Sequence, residues 1–260
     1  MNLRYINLWI GPESGYNEDY RYEFKLHTRF ISHFLSTQIR KLKFQTDGTF
    51  NMISIAPTPK ETTNCSIVPL DCLKVEIPFN QEKYEKVKQT YNFSYYFELL
   101  EKGFKEAANY KDIPLKELLG IIEEFKKNGA KNEWIFKKKT FKEQGIVISL
   151  NCYFTTLDFK LVMSIRSIQS KEVLCTGTII RTMPDEIYFD GAFKDIIIKK
   201  DKIIVTDSSG YDRVIVDLDA ALNKRFKFNL AEYPFDDNDK EAMKNHVEVN
   251  KILSYDGEAF

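Results

Sequence analysis

The sequence predicts an α+β protein with mostly antiparallel β-sheet, a C-terminal meander, a central helical segment and a short C-terminal helix. Apolar and polar residues alternate through much of residues 146–218, and side chains of a strand point to opposite faces with a period of two. Between residues 81 and 129 the apolar residues instead recur at helical spacing. The order strands, helices, strands, helix therefore indicates the α+β class.

The N-terminal part predicts short strands joined by turns. Residues 39–46 and 49–56 indicate a hairpin, because Asp47 and Gly48 between them form the dipeptide that favours a type I′ turn. Three prolines predict a loop over 56–70. The other strands expected here are 7–10, 20–26, 28–37 (ending in a bend) and 73–77.

The middle of the chain predicts helices. Residues 81–110 carry Glu and Lys at helical spacings, and a break is expected at 92–94. A second helix follows Pro114 and ends before Gly129, a C-cap glycine. A final helix is expected after Pro234, with Asp236 or Asp237 as its N-cap.

The second half predicts a meander. Residues 146–154 and 157–165 alternate cleanly, and Thr155 and Thr156 between them imply a tight hairpin. Later turns are short, which suits antiparallel neighbours, since parallel ones need crossovers of a dozen residues or more. One or two helical turns are expected at 219–226. The further strands expected are 134–141, 172–182, 186–189, 193–198, 203–207 and 213–218.

The chain length leaves the number of domains open. At 260 residues the chain lies near the size at which one core gives way to two. Each half runs from strands to helix, which suggests two modules, 1–129 and 130–260, with one continuous domain as the alternative.

Composition argues against several functional classes. Lys plus Arg equals Asp plus Glu at 38 each, so the overall positive charge typical of nucleic-acid binders is missing, which argues against such a partner. We expect a cytoplasmic protein without a membrane span, because there is neither a signal peptide nor a run of about 18 apolar residues. The sequence indicates no cofactor, no metal site and no disulfide among its four cysteines.

Catalytic candidates are few. Pro184, Asp185, Asp195 and Lys199 loosely resemble the acid–lysine arrangement of metal-dependent nucleases, but Ile197 occupies the place of the second acid. His27 and His33 would share one face of a strand, yet no residue close in sequence completes a site with them. If the protein is an enzyme, a hydrolase or nuclease, we expect a site assembled from distant residues. The candidates are His27, His33, Asp185 and Asp195.

Aromatic residues offer a candidate binding surface. Tyr residues are enriched at protein interfaces, although core packing is the favoured interpretation of most of them. Trp134, Phe136 and Lys138 interleave aromatics with cations, as in binders of single-stranded nucleic acid, whereas an edge strand protected by lysines is the simpler interpretation. The tyrosines at exposed-looking positions are Tyr91, Tyr95, Tyr96, Tyr110, Tyr153, Tyr188 and Tyr211. Within this set we nominate Tyr95 and Tyr96 for the binding surface.

The functional hypothesis follows from these observations. We expect a non-enzymatic protein-binding module, for example an immunity-type inhibitor that covers the active site of a toxin. An enzyme and a single-stranded nucleic-acid binder are the alternatives.

Overall fold

The computed structural model describes residues 1–88, 90–232 and 240–256. The chain divides into two compact units, Met1–Asn132 and Glu133–Phe260, called unit 1 and unit 2 below. The described residues form seven α-helices and three four-stranded sheets, which are antiparallel in most of their strand pairs. The predicted α+β class is therefore confirmed, whereas the assignment of each unit as a separate domain stays a prediction.

Unit 1 contains a mixed sheet with helices. Its strands are β1 (Tyr5–Leu8), β2 (Met52–Thr58), β3 (Asn64–Val68) and β4 (Cys72–Pro78). They lie in the order β1-β2-β4-β3, where β1 and β4 are parallel to β2 and β3 is antiparallel to β4. Its helices are α1 (Glu18–Leu42), α2 (Gln81–Val87), α3 (Ser94–Tyr110) and α4 (Leu115–Lys127). The predicted break between α2 and α3 is confirmed.

Helix α3 packs closely on the sheet. The face of β2 and β4 that carries Ile53, Ile55 and Val75 is fully buried, and α3 contacts both strands. A Cβ atom at Gly103 of α3 would lie 2.4 Å from Cδ1 of Ile55. Glycine at this position therefore sets how near the helix approaches the strand.

The N-terminal strands predicted at 20–26 and 28–37 are wrong, because α1 spans both segments. Asn17 begins the helix by accepting a hydrogen bond from Tyr20 N at 2.8 Å. Phe24, Ile31 and Leu35 then recur at helical spacing and are buried. Thr28, Ser32 and Ser36 lie in the same helix and are weak helix formers, so they weakened the helical signal in the sequence.

The hydroxyl groups of Thr28, Ser32 and Ser36 form hydrogen bonds with the backbone groups at the outer edge of β1. The N–H groups of Tyr5 and Trp9 donate towards β2, so the polar backbone groups of Ile6 and Leu8 point away from it. Ser36 Oγ accepts from Ile6 N at 2.9 Å and donates to Ile6 O at 3.1 Å. The Leu8 N–H and C=O are bound in the same way by Ser32 and Thr28 of α1.

The hairpin predicted at 39–56 is also wrong. Helix α1 continues to Leu42, and β2 starts at Met52 and pairs in parallel with β1. Asp47 and Gly48 do form a turn, in which Asp47 Oδ1 accepts from Thr49 N at 2.9 Å. This turn leads into β2 and joins no antiparallel pair. The loop predicted at 56–70 contains β3, which pairs with β4.

Unit 2 contains two sheets in meander order. The first has β5 (Asn132–Phe141), β6 (Ile146–Phe154), β7 (Phe159–Ser167) and β8 (Val173–Thr182), and the second has β9 (Asp195–Lys199), β10 (Lys202–Thr206), β11 (Asp212–Asp217) and β12 (Phe228–Leu230). In each sheet the spatial order follows the sequence. The predicted meander is confirmed.

The central hairpin is the best predicted part of the chain. Leu150 pairs with Met163 in the β6–β7 ladder, and both are fully buried. The turn is longer than expected: Thr155 N donates to Asp158 O at 2.9 Å, and Leu157 is exposed rather than part of the buried face. The turn residues are therefore 155–158.

Three short helices complete unit 2. They are α5 (Glu186–Phe189), α6 (Leu218–Leu222) and α7 (Lys240–Leu253). The strand predicted at 186–189 is wrong, because Asp185 caps α5 by accepting from Ile187 N. The helical turn predicted after residue 218 and the C-terminal helix are confirmed. The predicted caps Asp236 and Asp237 lie outside the described residues.

Candidate functional site

The two candidate histidines are packed into unit 1. His27 Nδ1 lies 3.0 Å from the Tyr84 hydroxyl, and His33 Nδ1 accepts from the Asn132 side-chain amide at 3.0 Å. Both belong to α1, where six residues correspond to about 1.7 turns, so the expectation that they share one face is wrong. Burial lowers the pKa of His27, and it lowers that of His33 to about 4. Both rings are neutral near pH 7.

The two candidate aspartates belong to unit 2, and both have structural partners. Asp185 is buried and caps α5. Asp195 pairs with Lys137 at 3.0 Å and accepts from Ile196 N at 2.7 Å. The hydrogen bond from Lys137, supported by the one from Ile196 N, lowers the pKa of Asp195 to about 2. That carboxylate therefore stays ionised near neutral pH and is unsuited to donating a proton.

The aromatic–cationic stretch on β5 is occupied by contacts within unit 2. The rings of Trp134 and Phe159 have centroids 6.1 Å apart, and Phe136 lies edge-on to Phe193 at 4.7 Å. Lys137 and Lys139 both contact the Asp195 carboxylate. These contacts agree with the interpretation of β5 as a protected edge strand.

Lys138 is the exposed cation of this stretch. Its neighbour Lys139 also donates to Ile196 O at 2.8 Å. One lysine of β5 therefore points to solvent while another binds the backbone of β9. Nucleic-acid binding here stays a hypothesis, but two of the cations it would use are already paired with a carboxylate.

The nominated tyrosines are not at the surface. Tyr95 and Tyr96 are 4% and 2% exposed. The Tyr95 hydroxyl accepts from Asn80 N at 2.6 Å, and the Tyr96 ring lies edge-on to Phe24 of α1. The expectation that these two residues are exposed is wrong, because neighbouring segments cover adjacent sides of the first turn of α3. A partner cannot contact their rings without local opening.

An aromatic groove lies beside that buried cluster. It occupies the space between the segment joining α2 to α3 and the C-terminal end of α4, and its volume is ≈ 530 Å³. We call it the α3–α4 groove. Its lining residues are Tyr91, Asn92, Phe93, Ser94, Phe97, Lys126, Gly129 and Ala130.

The floor and the rim of the α3–α4 groove differ in exposure. Phe97 is 5% exposed and packs edge-on against Phe125 of α4, with centroids 6.0 Å apart. Tyr91 at the rim is 78% exposed. The groove thus offers aromatic surface from a fixed floor to a solvated edge.

The single cation of the α3–α4 groove is balanced by carboxylates. Lys126 Nζ contacts Glu101 and Glu123 and lies 5.5 Å from the centre of the Phe97 ring. An anionic ligand would have to compete with two carboxylates for this ammonium group. The groove is therefore better suited to an apolar or aromatic group than to a phosphate.

Sequence reasoning identified Tyr91 as an exposed aromatic but missed the groove. Residues 91–97 and 126–130 are distant along the chain and meet because α3 packs on α4. The available sequence signal was a tyrosine within the polar break between two helices.

In residues 1–88, 90–232 and 240–256, no three His, Cys, Asp or Glu side chains are grouped so that they could hold a metal ion. Over the same ranges, no helix has both the length and the apolar character needed to cross a membrane. No protein-family model matches the chain, no curated protein matches it, and no solved structure matches it.

Proposed function

We propose that this protein binds another protein, and that the α3–α4 groove of unit 1 is part of the contact surface. The observation that carries the proposal is the exposure of Tyr91, 78%, at the rim of a groove whose floor is a fixed aromatic ring. Tyr supplies a large contact area with few rotatable bonds, and such residues carry much of the binding energy at interfaces.

The form of the groove favours a protein partner over a small molecule. Small-molecule sites enclose 70–90% or more of their ligand, whereas this groove opens to solvent along Tyr91. The charge of Lys126 is already balanced. We therefore propose that the partner places one apolar or aromatic side chain against Phe97 while its neighbouring surface covers Tyr91.

Site-specific photo-crosslinking in a lysate of the source cells tests the proposal. A photoreactive phenylalanine analogue replaces Tyr91 in one preparation and Tyr110 in the other. Tyr110 is the matched control, because it is 49% exposed but lies at the opposite end of α3. We expect a partner protein that crosslinks from position 91 and not from position 110.

The affinity of the purified partner then decides the role of the groove. We expect Tyr91→Ala to weaken binding by about 30-fold, the equivalent of about 2 kcal/mol for a central interface residue, and Tyr110→Ala to change it less than twofold. Because Tyr91 is exposed, its substitution should leave the free energy of unfolding unchanged. Equal affinity of the two variants would contradict the proposal.

The immunity-type inhibitor stays a hypothesis within this proposal. It adds the expectation that the partner is a toxin domain, that the protein suppresses the toxin's activity, and that Tyr91→Ala relieves the suppression. A partner that keeps its activity when saturated with the protein would exclude this form while leaving protein binding intact.

A further inference from the structure

The C-terminal segment is attached to the outer edge of β8. Strand β8 is the last strand of its sheet and pairs with β7 on one side. On its other side Ser254 forms a parallel bridge with Arg181, and Tyr255 N donates to Arg181 O at 3.0 Å. Ser254 and Tyr255 thus pair with the outer edge of β8 near its C-terminal end.

Arg181 fixes the geometry of this attachment. Its Nε donates to Asp158 Oδ2 at 2.6 Å, and its Nη1 donates to Asp256 O at 2.7 Å. The guanidinium carbon also lies 5.7 Å from the centre of the Tyr255 ring. One side chain therefore binds a backbone carbonyl and an aromatic ring of the added segment.

The anchor of Arg181 does not depend on the segment it holds. Asp158 is 2% exposed and accepts from Thr155 Oγ1 at 3.2 Å, within the β6–β7 turn. Lys160 contacts the same carboxylate at 3.1 Å. Because the buried Asp158 carboxylate binds Arg181 from within the sheet, we expect Arg181 to keep its position whether or not residues 254–256 are bound.

We propose that the outer edge of β8 is a strand-addition site for an extended segment of a partner protein, and that residues 254–256 occupy this site in the free protein. The chemistry of the resident segment defines the partner. Ser254 is exposed, whereas Tyr255 donates its N–H to Arg181 O and its ring lies against the Arg181 guanidinium group. An extended partner segment with a tyrosine at the position of Tyr255 reproduces these contacts.

The resident segment follows a helix that is itself partly exposed. Its contacts with β8 include the hydrogen bond from Tyr255 N to Arg181 O and the contacts of the Arg181 guanidinium group with Asp256 O and the Tyr255 ring. The preceding helix α7 leaves Met243 and Val247 44% and 46% exposed. A short tethered segment competes at an effective concentration of about millimolar. A foreign segment therefore displaces it only by binding more tightly, for example by forming more ladder hydrogen bonds with β8 than residues 254–256 form.

A peptide titration of the full-length protein tests the site. The probe is a synthetic amidated peptide with the sequence of residues 251–256, and its binding is followed by chemical-shift changes of backbone amides. We expect the Tyr255→Ala protein, whose own segment is weakened, to bind the peptide at least threefold more tightly than the wild type. The matched control is Tyr211→Ala, an exposed tyrosine of unit 2 outside this contact, which should behave as the wild type.

A modified peptide separates strand addition from nonspecific adhesion. Methylation of the nitrogen of the tyrosine that matches Tyr255 removes the donor to Arg181 O, and we expect it to weaken binding at least tenfold. This comparison changes nothing in the protein, so it is independent of folding. Equal binding of both peptides, or no binding to Tyr255→Ala at millimolar concentration, would overturn the proposal.

A second copy of the chain is the competing occupant. If the segment of one molecule bound the β8 edge of another, the wild type would dimerise with rising concentration and Tyr255→Ala would not. Sedimentation of both proteins distinguishes the cases. A monomeric wild type is expected, and a dimer lost on substitution of Tyr255 would overturn the assignment to a foreign partner.

Discussion

Removal of one hydroxyl group from α1 should destabilise the protein strongly. Ser36→Ala deletes the partner of two backbone groups of β1, because Ser36 Oγ accepts from Ile6 N at 2.9 Å and donates to Ile6 O at 3.1 Å. Ile6 is 2% exposed and Ser36 is 8% exposed, so water has little access to the freed groups. The substitution therefore leaves a buried N–H and a buried C=O unsatisfied.

The magnitude follows from these two groups. An unsatisfied buried polar group costs about 1–3 kcal/mol, and alanine recovers about 0.5 kcal/mol through its higher helix propensity. With two such groups, we expect Ser36→Ala to lower the free energy of unfolding by about 1.5–5.5 kcal/mol. Ser32→Ala should cost about half as much, because Ser32 accepts from Leu8 N alone while Thr28 holds Leu8 O.

Urea unfolding followed by circular dichroism measures this loss. Gln38→Ala is the matched control, because Gln38 lies on the same helix and its Oε1 accepts from the exposed Lys41 at 2.8 Å; we expect a change within about 0.5 kcal/mol. If Ser36→Ala were as stable as Gln38→Ala, the hydroxyl would not be what satisfies the β1 edge, and the reasoning would be refuted.

Two further predictions concern packing and pH. Gly103→Ala should destabilise unit 1 by about 1–3 kcal/mol in urea unfolding, since its Cβ would lie 2.4 Å from Ile55 Cδ1. Ile55→Val in the same chain removes that methyl group and should recover part of the loss. If the losses of the two single variants simply added in the double variant, this explanation would be contradicted. Burial and the nearby Arg40 and Arg29 lower the pKa of His33 from 6.5 to about 4. Because the unfolded chain binds this proton more readily, stability should be full above pH 6.5 and fall by on the order of 3 kcal/mol as the pH drops from 6.5 to 4. His33→Gln should remove this part of the pH dependence of unfolding, and an unchanged profile would contradict it.

The N-terminal sheet was beyond local sequence reasoning. Thr28, Ser32 and Ser36 are weak helix formers, so a 25-residue helix looked like strands although Phe24, Ile31 and others have helical spacing. The hydroxyls are there because β1 needs partners on its outer edge, a requirement of tertiary structure. These residues of α1 are explained by their hydrogen bonds to β1, and no short window of the sequence contains both elements.

The Asp47–Gly48 dipeptide led to the wrong prediction of a hairpin for a related reason. The turn forms, but a turn does not determine which strands pair. Strand β2 pairs with β1, forty-odd positions earlier, through the α1 crossover, as parallel strands require. The second half could be predicted because its pairs are sequence neighbours, so that alternation and short turns determine both partner and face.

The candidate binding residues could be predicted from the sequence less well than the fold of the second half. Exposure of Tyr91 agreed with its place between helices, whereas Tyr95 and Tyr96 are buried by Phe79 and Phe24, which lie elsewhere in the chain. The α3–α4 groove depends on packing of Phe97 against Phe125, a contact that no sequence spacing encodes. The sequence thus indicated aromatic excess correctly but could not assign it to surface or core.

The outer edges of β1, β9 and β8 are covered by different groups. These groups determine how readily a foreign strand could dock at each edge. At β1 the hydroxyls of α1 bind consecutive outward backbone groups, and at β9 Lys139 binds Ile196 O while Asp195 binds Ile196 N. At both edges a foreign strand would first have to break buried or ion-paired contacts of these side chains. At β8 the edge is covered by residues 254–256, of which Tyr255 donates its N–H to Arg181 O. An incoming strand offers the backbone N–H and C=O groups that residues 254–256 supply, and a tyrosine in it also replaces the ring contact with Arg181. Exchange at β8 therefore replaces each of these contacts with one of the same kind, which makes β8 the favoured docking edge of the three.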